Sequence, residues 1–327
     1  MSSDDLEEPH KLGLFLTRGH ALMSYASVLE PFRVANDFAR KPLYQWRHIS
    51  VDGQPVLGSH GTSTVVDSSI QDAFEYDTVF VFAGGDPFLF DDRAAFGWLR
   101  RQARSRVRMA GVSGGSVLLA KAGLLDGYRA TVHWEHEAMF QEFFPSVMLE
   151  PGLFAMDRRR MTCAGGIAGL DFAIDLVERD YGVTLAKTIS DWFIRTDPRH
   201  ADHPQRMSLG DRYGVLNDKV VRVLAEMEAN VEEPRSRERL ARIAGVSLRQ
   251  LERLFAKNLG RSIEQTYLAI RLEQAFHLVR STGMSVTEIS VACGFGNASH
   301  FTRSFRGQFG LSPSAVRKTR IAVDTRR

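Results

Sequence analysis

The sequence predicts an α/β doubly wound domain at its amino-terminal end and an all-α domain at its carboxyl end, on three observations. Short apolar runs alternate with amphipathic stretches up to about residue 195; a helical pattern is written twice, 50 residues apart, between Leu240 and Phe305; and the charge changes sign between the two parts. Up to residue 210 there are 22 Lys+Arg against 27 Asp+Glu, and beyond it 20 against 12. With 327 residues, 44% hydrophobic and 25% charged, the chain is long enough for two apolar cores and too apolar for global disorder.

Taken in order, Lys11–Thr17 (KLGLFLT), Leu43–Val51, Thr78–Ala83 (TVFVFA) and Val107–Val112 predict strands, being short, apolar and bounded by Gly or charge. Ala21–Ala39 and Asp92–Ser105 carry apolar residues at helical spacing. Strands alternating with helices imply a parallel sheet covered on both faces, with ligands at the carboxyl ends of its strands. Two of those ends carry glycines: Gly84-Gly85-Asp86-Pro87 and Gly111-Val112-Ser113-Gly114-Gly115-Ser116.

The second run fits G-x-S-x-G, the turn that presents a nucleophilic serine between strand and helix. A hydrolase built there would take Ser113 as nucleophile, His133 as base and Glu30 or Asp86 as orienter. The alternative is a tight turn of small residues that binds a ligand without chemistry. His133-Trp134-Glu135-His136-Glu137 lacks the histidine pair of a zincin and predicts a solvated helix start, and Arg158-Arg159-Arg160 predicts a hairpin tip rather than a nucleic-acid patch. Cys163 and Cys293 lie far apart without metal-ligand spacing, so no disulfide, metal or cofactor is expected. No apolar run approaches the ~20 residues of a membrane span, and Met1–Glu8 is acidic, so the expected location is the cytosol with no membrane partner.

The ligand domain is expected over residues 10–195, a polar linker holding the solvent-facing His200 and His203 over 196–217, and the helical domain over 218–327, with a helix across Val215–Asn230 that Pro234 ends. Within it, Leu240–Phe255 aligns with Ile289–Phe305. Each copy has a short helix, a turn on Gly245 or Gly294, a cap at Ser247 or Asn297, and a second helix burying Leu251 and Phe255 or Phe301 and Phe305. The first helix-turn-helix falls at about 237–258, the connecting helix at 263–280 and the second helix-turn-helix at about 285–309. Arg249, Gln250, Glu252 and Arg253, and in the second copy Ser299, His300, Thr302 and Arg303, occupy the opposite face. Two such helices set about 34 Å apart enter successive major-groove segments of promoter DNA. From Arg235 onward 17 basic residues face 6 acidic ones, which attracts phosphate.

The run Gly111–Trp134 together with Ser27–Asn36 (SVLEPFRVAN) resembles the amino-terminal domain of GlxA-type regulators, a branch of the PfpI/ThiJ (class I glutamine amidotransferase-like) superfamily. Enzymes of that superfamily carry a cysteine at the elbow, where this chain has Ser113, and Gly114 replaces the histidine that follows it in the peptidases. The resemblance therefore implies a small-molecule receptor rather than an enzyme, with a ligand at Glu30, Gly84, Gly85, Asp86, Ser113, Gly114, His133 and Trp134. The last hundred residues resemble the AraC/XylS DNA-binding domain through Ile289, Ala292, Gly294-Phe295, Phe301, Arg303, Phe305, Gly310, Ser312-Pro313 and Arg317. It implies base contacts from Arg249, Gln250, Glu252 and Arg253, then from Asn297, Ser299, His300, Thr302 and Arg303, in a homodimeric activator that recruits RNA polymerase. SYASVLEPFRVAN and LYQWRHISVDG are similar to regulators of amine, carnitine, betaine or arginine catabolism, which implies a small nitrogenous effector. Two other readings remain at this stage: a Ser113 hydrolase or amidase with a DNA-binding tail, and an architectural DNA-binding protein with no ligand.

Overall fold

β1 (His10–Leu16), α1 (Leu22–Ala39) and β2 (Tyr44–Ser50) open the first unit of the computed structural model, which describes residues 8–318. The expectations for the acidic first seven residues and for 319–327 of the helical domain lie outside the described residues. Three short strands follow, β3 (Val56–Leu57), β4 (Ser63–Thr64) and β5 (Ser68–Ser69), then β6 (Thr78–Ala83), α2 (Arg93–Arg104), β7 (Arg108–Ser113) and α3 (Gly115–Lys121). β8 (Arg129–Ala130), α4 (Glu137–Phe143), β9 (Met148–Leu149), β10 (Phe154–Asp157), β11 (Arg160–Cys163), α5 (Ala168–Tyr181) and α6 (Val183–Trp192) complete it.

The main sheet runs β10-β11-β7-β6-β1-β2-β5, with every neighbouring pair parallel except β10 and β11. Because side chains alternate along a strand, β6 feeds two cores. Phe80 and Phe82 pack with Val28 and Phe32 of α1 and Phe172 of α5. Val79 and Val81 pack with Trp98 of α2, Leu118 of α3 and Phe140 of α4. Helices thus cover both faces, which makes the domain doubly wound. The chain passes from β1 outward to β2 and then back to β6 on the other side of β1, so the order reverses between β1 and β6, the point at whose carboxyl ends folds of this kind place a ligand. The expected hairpin tip at Arg158–Arg160 is the antiparallel β10–β11 turn.

This unit closes at Gln205 and the second begins at Arg206. The stretch 196–217 is therefore no free linker. Its first part is fastened to the first unit: Arg195 and Arg199 both pair with the buried Asp171, and the Gln205 amide donates to Val132 O at 2.9 Å and Gly152 O at 2.8 Å while accepting from Trp134 N at 2.9 Å. Its second part starts the second unit with α7 (Leu209–Tyr213), where Arg212 and the Tyr213 hydroxyl both bind Glu228 and Val215 enters the core. The polar composition that suggested a solvated connection reflects ion pairing on a surface instead.

The second unit continues with α8 (Asp218–Ala229), α9 (Arg237–Ala244), α10 (Leu248–Leu259), α11 (Ile263–Ser281), α12 (Val286–Ala292) and α13 (Ala298–Phe309). α8 begins three residues later than expected, because the Asn217 side chain caps the amides of Lys219 and Val220, and it ends before Pro234 is reached. Leu240, Leu251, Phe255, Ile263 and Tyr267 form one core; Leu272, Val279, Ile289, Phe301 and Phe305 form another. α11 serves both. Its Tyr267 hydroxyl donates to Asn230 O at 2.6 Å, and its Arg271 donates to Cys293 O at 2.8 Å and Gly294 O at 2.6 Å while stacking 4.0 Å over Phe295.

Candidate functional site

The two 12-residue helices α10 and α13 start 50 residues apart, as the duplication requires. Gly245 and Gly294 hold φ of 66° and 70° at the preceding turns, a left-handed conformation that glycine adopts without strain. The Ser247 hydroxyl accepts from Gln250 N, and Gln250 Oε1 accepts from Ser247 N in return, a capping box. In the second copy Asn297 Oδ1 accepts from Ser299 N and His300 N. Gln250 and Asn297, expected as base contacts, therefore have their carbonyl oxygens occupied as caps and offer a partner only their amide N–H groups.

Leu251, Phe255, Phe301 and Phe305 are wholly buried, whereas Arg249, Glu252, Arg253, Ser299, His300 and Arg303 are exposed and Thr302 is half-buried. Glu252 sits 3.6 Å from Arg237, which offsets its charge. Arg249, Arg253 and Arg303 form no hydrogen bond or ion pair among the described residues, so their guanidinium donors remain free for guanine edges or phosphate. The His300 ring lies 5.8 Å from that of Phe295, which limits how far it reaches outward.

In the first unit the elbow is present and its chemistry is not. Ser113 takes φ of 56° at the end of β7, the strained turn that lifts a side chain above the sheet. Its neighbours are Gly165, whose added Cβ would lie 2.6 Å from Ser113 Cβ, and Ser24, whose hydroxyl accepts from Gly166 N at 2.7 Å. Among the described residues the Ser113 hydroxyl makes no hydrogen bond. Glu30 Oε2 accepts from Arg33 one turn on in α1, at 2.9 and 2.7 Å. Asp86 caps a short 3₁₀ turn through Phe88 N, and His133 accepts from Glu135 N. Gly84 lies against Gly19, so tightly that a Cβ on it would meet Gly19 O at 2.2 Å. The nearby Cys163 offers no substitute nucleophile, because complete burial pushes its thiol up to about 12.

Several participants escaped the sequence reading. Gly165-Gly166 closes β11 by the same glycine-after-strand signal that marks Gly84-Gly85, and Ser24 reaches it from 142 residues away. Beside Ser24, the Tyr25 hydroxyl bonds to His48 Nε2 at 2.7 Å and His48 Nδ1 to Asp67 at 3.1 Å, a polar chain beneath α1.

His136 also departs from the solvated helix start expected there. It is buried beside Phe88, and burial, followed by the nearby His133, holds its imidazole down to about 4. The unfolded chain binds a proton near pH 6.5 that the folded chain refuses until about pH 4. Stability contributed by neutral His136 is thus complete above pH 6.5 and falls on acidification by about 2 kcal/mol at pH 5. Urea unfolding at pH 7 and pH 5 measures this loss, and a His136→Gln chain is expected to show it reduced by that amount.

The profile of the helix-turn-helix domain matches residues 240–319, and that of the DJ-1/PfpI family matches residues 22–179. The HTH-type transcriptional regulator CdhR of Pseudomonas aeruginosa is 43% identical over 304 residues, 92% of this chain and 90% of that protein. The chain belongs to the AraC family of transcriptional regulators, in its GlxA-type branch. The regulator is 37% identical to the HTH-type transcriptional regulator GlxA of Rhizobium meliloti over 318 residues, 97% of this chain and 98% of that one. A crystal structure of an AraC family transcriptional regulator from Pseudomonas putida covers 57% of the regulator with a TM-score of 0.52 at 25% identity, and the whole of that chain is matched. A ThiJ/PfpI family protein from Pseudomonas syringae shares the fold, with a TM-score of 0.50 at 20% identity over 75% of the regulator and 98% of that chain. The regulator is accordingly a sequence-specific DNA-binding transcriptional regulator. Among its described residues no helix is long and apolar enough to cross a membrane.

Proposed function

We propose that the regulator is an effector-responsive activator that binds promoter DNA as a homodimer and recruits RNA polymerase. The observation that carries the sensing role is the elbow: Ser113 holds the strained conformation of a presenting turn while its hydroxyl has no hydrogen-bonded base. A fold that keeps the shape without the base is suited to binding. The effector is a small nitrogenous metabolite, as the resemblance of SYASVLEPFRVAN and LYQWRHISVDG to amine, carnitine, betaine and arginine regulators supports. It enters the crevice bounded by Gly84, Gly85, Ser113, Gly114 and the Gly165-Gly166 turn, with Trp134 available to face a cationic nitrogen.

Gln205 gives the site a route outward. Its amide joins the strand end at Thr131 and Val132, the Trp134 amide and Gly152, and the next residue begins the DNA-binding unit. An effector must favour the DNA-competent state to act at all. Thermal melting and DNA affinity of the full chain, measured with glycine betaine, carnitine, choline and L-arginine, test the reading. One of these is expected to raise the melting temperature and change affinity for DNA, and a Ser113→Trp chain that fills the crevice is expected to lose both responses. No response to any of the four overturns this effector class.

A further inference from the structure

The first unit is acidic as a whole, with 21 Lys+Arg against 27 Asp+Glu in residues 1–205. Four of its arginines are nevertheless gathered at one place. The α2–β7 turn carries Arg104 and Arg106, the β10–β11 turn carries Arg158 and Arg159, and the two turns touch where the Arg159 guanidinium donates to Arg106 O. All four are exposed. Like charges placed side by side repel, so such a cluster lowers stability unless something anionic covers it.

Two further features indicate that the charge is built in rather than incidental. Arg106 and Arg158 sit at φ of 65° and 54°, left-handed positions where glycine or asparagine would avoid the strain. The set is also held in place: Arg158 stacks 3.6 Å over Tyr128 and bonds to Gly127 O at 2.9 Å. Its carboxylate neighbour Asp157 is already taken by Arg158, at 3.1 Å, and by Arg129 N. Among the described residues Arg104, Arg106 and Arg159 have no carboxylate partner.

We propose that this edge of the first unit binds the phosphodiester backbone of duplex DNA outside the bases read by α10 and α13. Guanidinium groups suit phosphate because they present paired donors in one plane. The Tyr128 ring within the patch is covered by Arg158, which leaves a protein partner little apolar anchor beside the guanidinium groups.

The test uses the full chain and two random-sequence duplexes, one of about 20 bp, the length two helix-turn-helix units one turn apart span, and one of about 60 bp. Affinity is followed by fluorescence anisotropy from 50 to 200 mM salt for the wild type and for Arg104→Gln/Arg106→Gly/Arg159→Gln. Each lost phosphate contact reduces the slope of log affinity against log salt by about 0.9, so on the long duplex the triple variant is expected to lose about 2 to 3 units of slope and about tenfold in affinity. On the short duplex it is expected to match the wild type. Arg106→Gly alone relieves backbone strain and is expected to lose about 0.9 of slope on the long duplex without a lower melting temperature. Equal losses on both duplexes, or wild-type binding of both, overturn the proposal; the latter points to an acidic protein as the partner.

Discussion

Gly294→Ala is expected to abolish sequence-specific DNA binding by displacing the second helix-turn-helix. An added Cβ would lie 2.6 Å from Glu232 O and Val231 O and 2.9 Å from Pro234 Cδ, on backbone already at φ of 70°. The carbonyls belong to the segment that joins α8 to α9, and Arg271 holds Gly294 O from the other side, so neither surface gives way cheaply. Left-handed strain alone costs about 1–2 kcal/mol, and the backbone clash adds to it, for a total of roughly 3 kcal/mol or more. Gly245 is the internal control: at φ of 66° it has nothing within 4 Å of a new Cβ, so Gly245→Ala should show the conformational cost alone. Gly307→Ala, in open space on α13, should stabilise by up to about 1 kcal/mol. Chemical denaturation of the three variants orders them, and equal effects of Gly245→Ala and Gly294→Ala would contradict the packing described at the junction.

Arg253→Ala and Arg303→Ala are expected to leave stability within about 0.5 kcal/mol of wild type, because both side chains are exposed and unpaired among the described residues. Their effect falls on DNA. Each bidentate arginine contact discriminates against the wrong base by about 1–3 kcal/mol, so either substitution should relax one position of the operator by roughly 10- to 100-fold. Because the two residues lie on separate helices with separate cores, their losses should add. The double variant should retain salt-dependent, sequence-independent binding, since the remaining basic residues still attract phosphate.

Much of this organisation is legible in the sequence because the physics is local. The four expected strands emerge within one residue, since fully buried runs such as Thr78–Ala83 have no charged residue to blur their ends. The two helix-turn-helix copies are equally plain, because each cap and each turn glycine lies within a few residues of the helix it ends or begins. What was not legible depends on distance along the chain. Gln205 meets Thr131 across 74 residues and Arg199 meets Asp171 across 28, so a polar stretch that is tied down looked like a linker. Glu30 takes Arg33, one turn on in the same helix, as its ion-pair partner, a local pairing the sequence reading left aside. Asn297 and Gln250 carry a second role the sequence reading left aside, since their carbonyl oxygens cap the helices they open.

The central claim is that α10 and α13 read bases as a pair on one duplex. Guanine methylation interference on a bound operator, run with the wild type, Arg253→Ala and Arg303→Ala, tests it most directly. Two groups of essential guanines about 10 bp apart are predicted, each variant erasing one group and sparing the other. A single group, or a uniform weakening in which neither variant erases any position, would contradict the account.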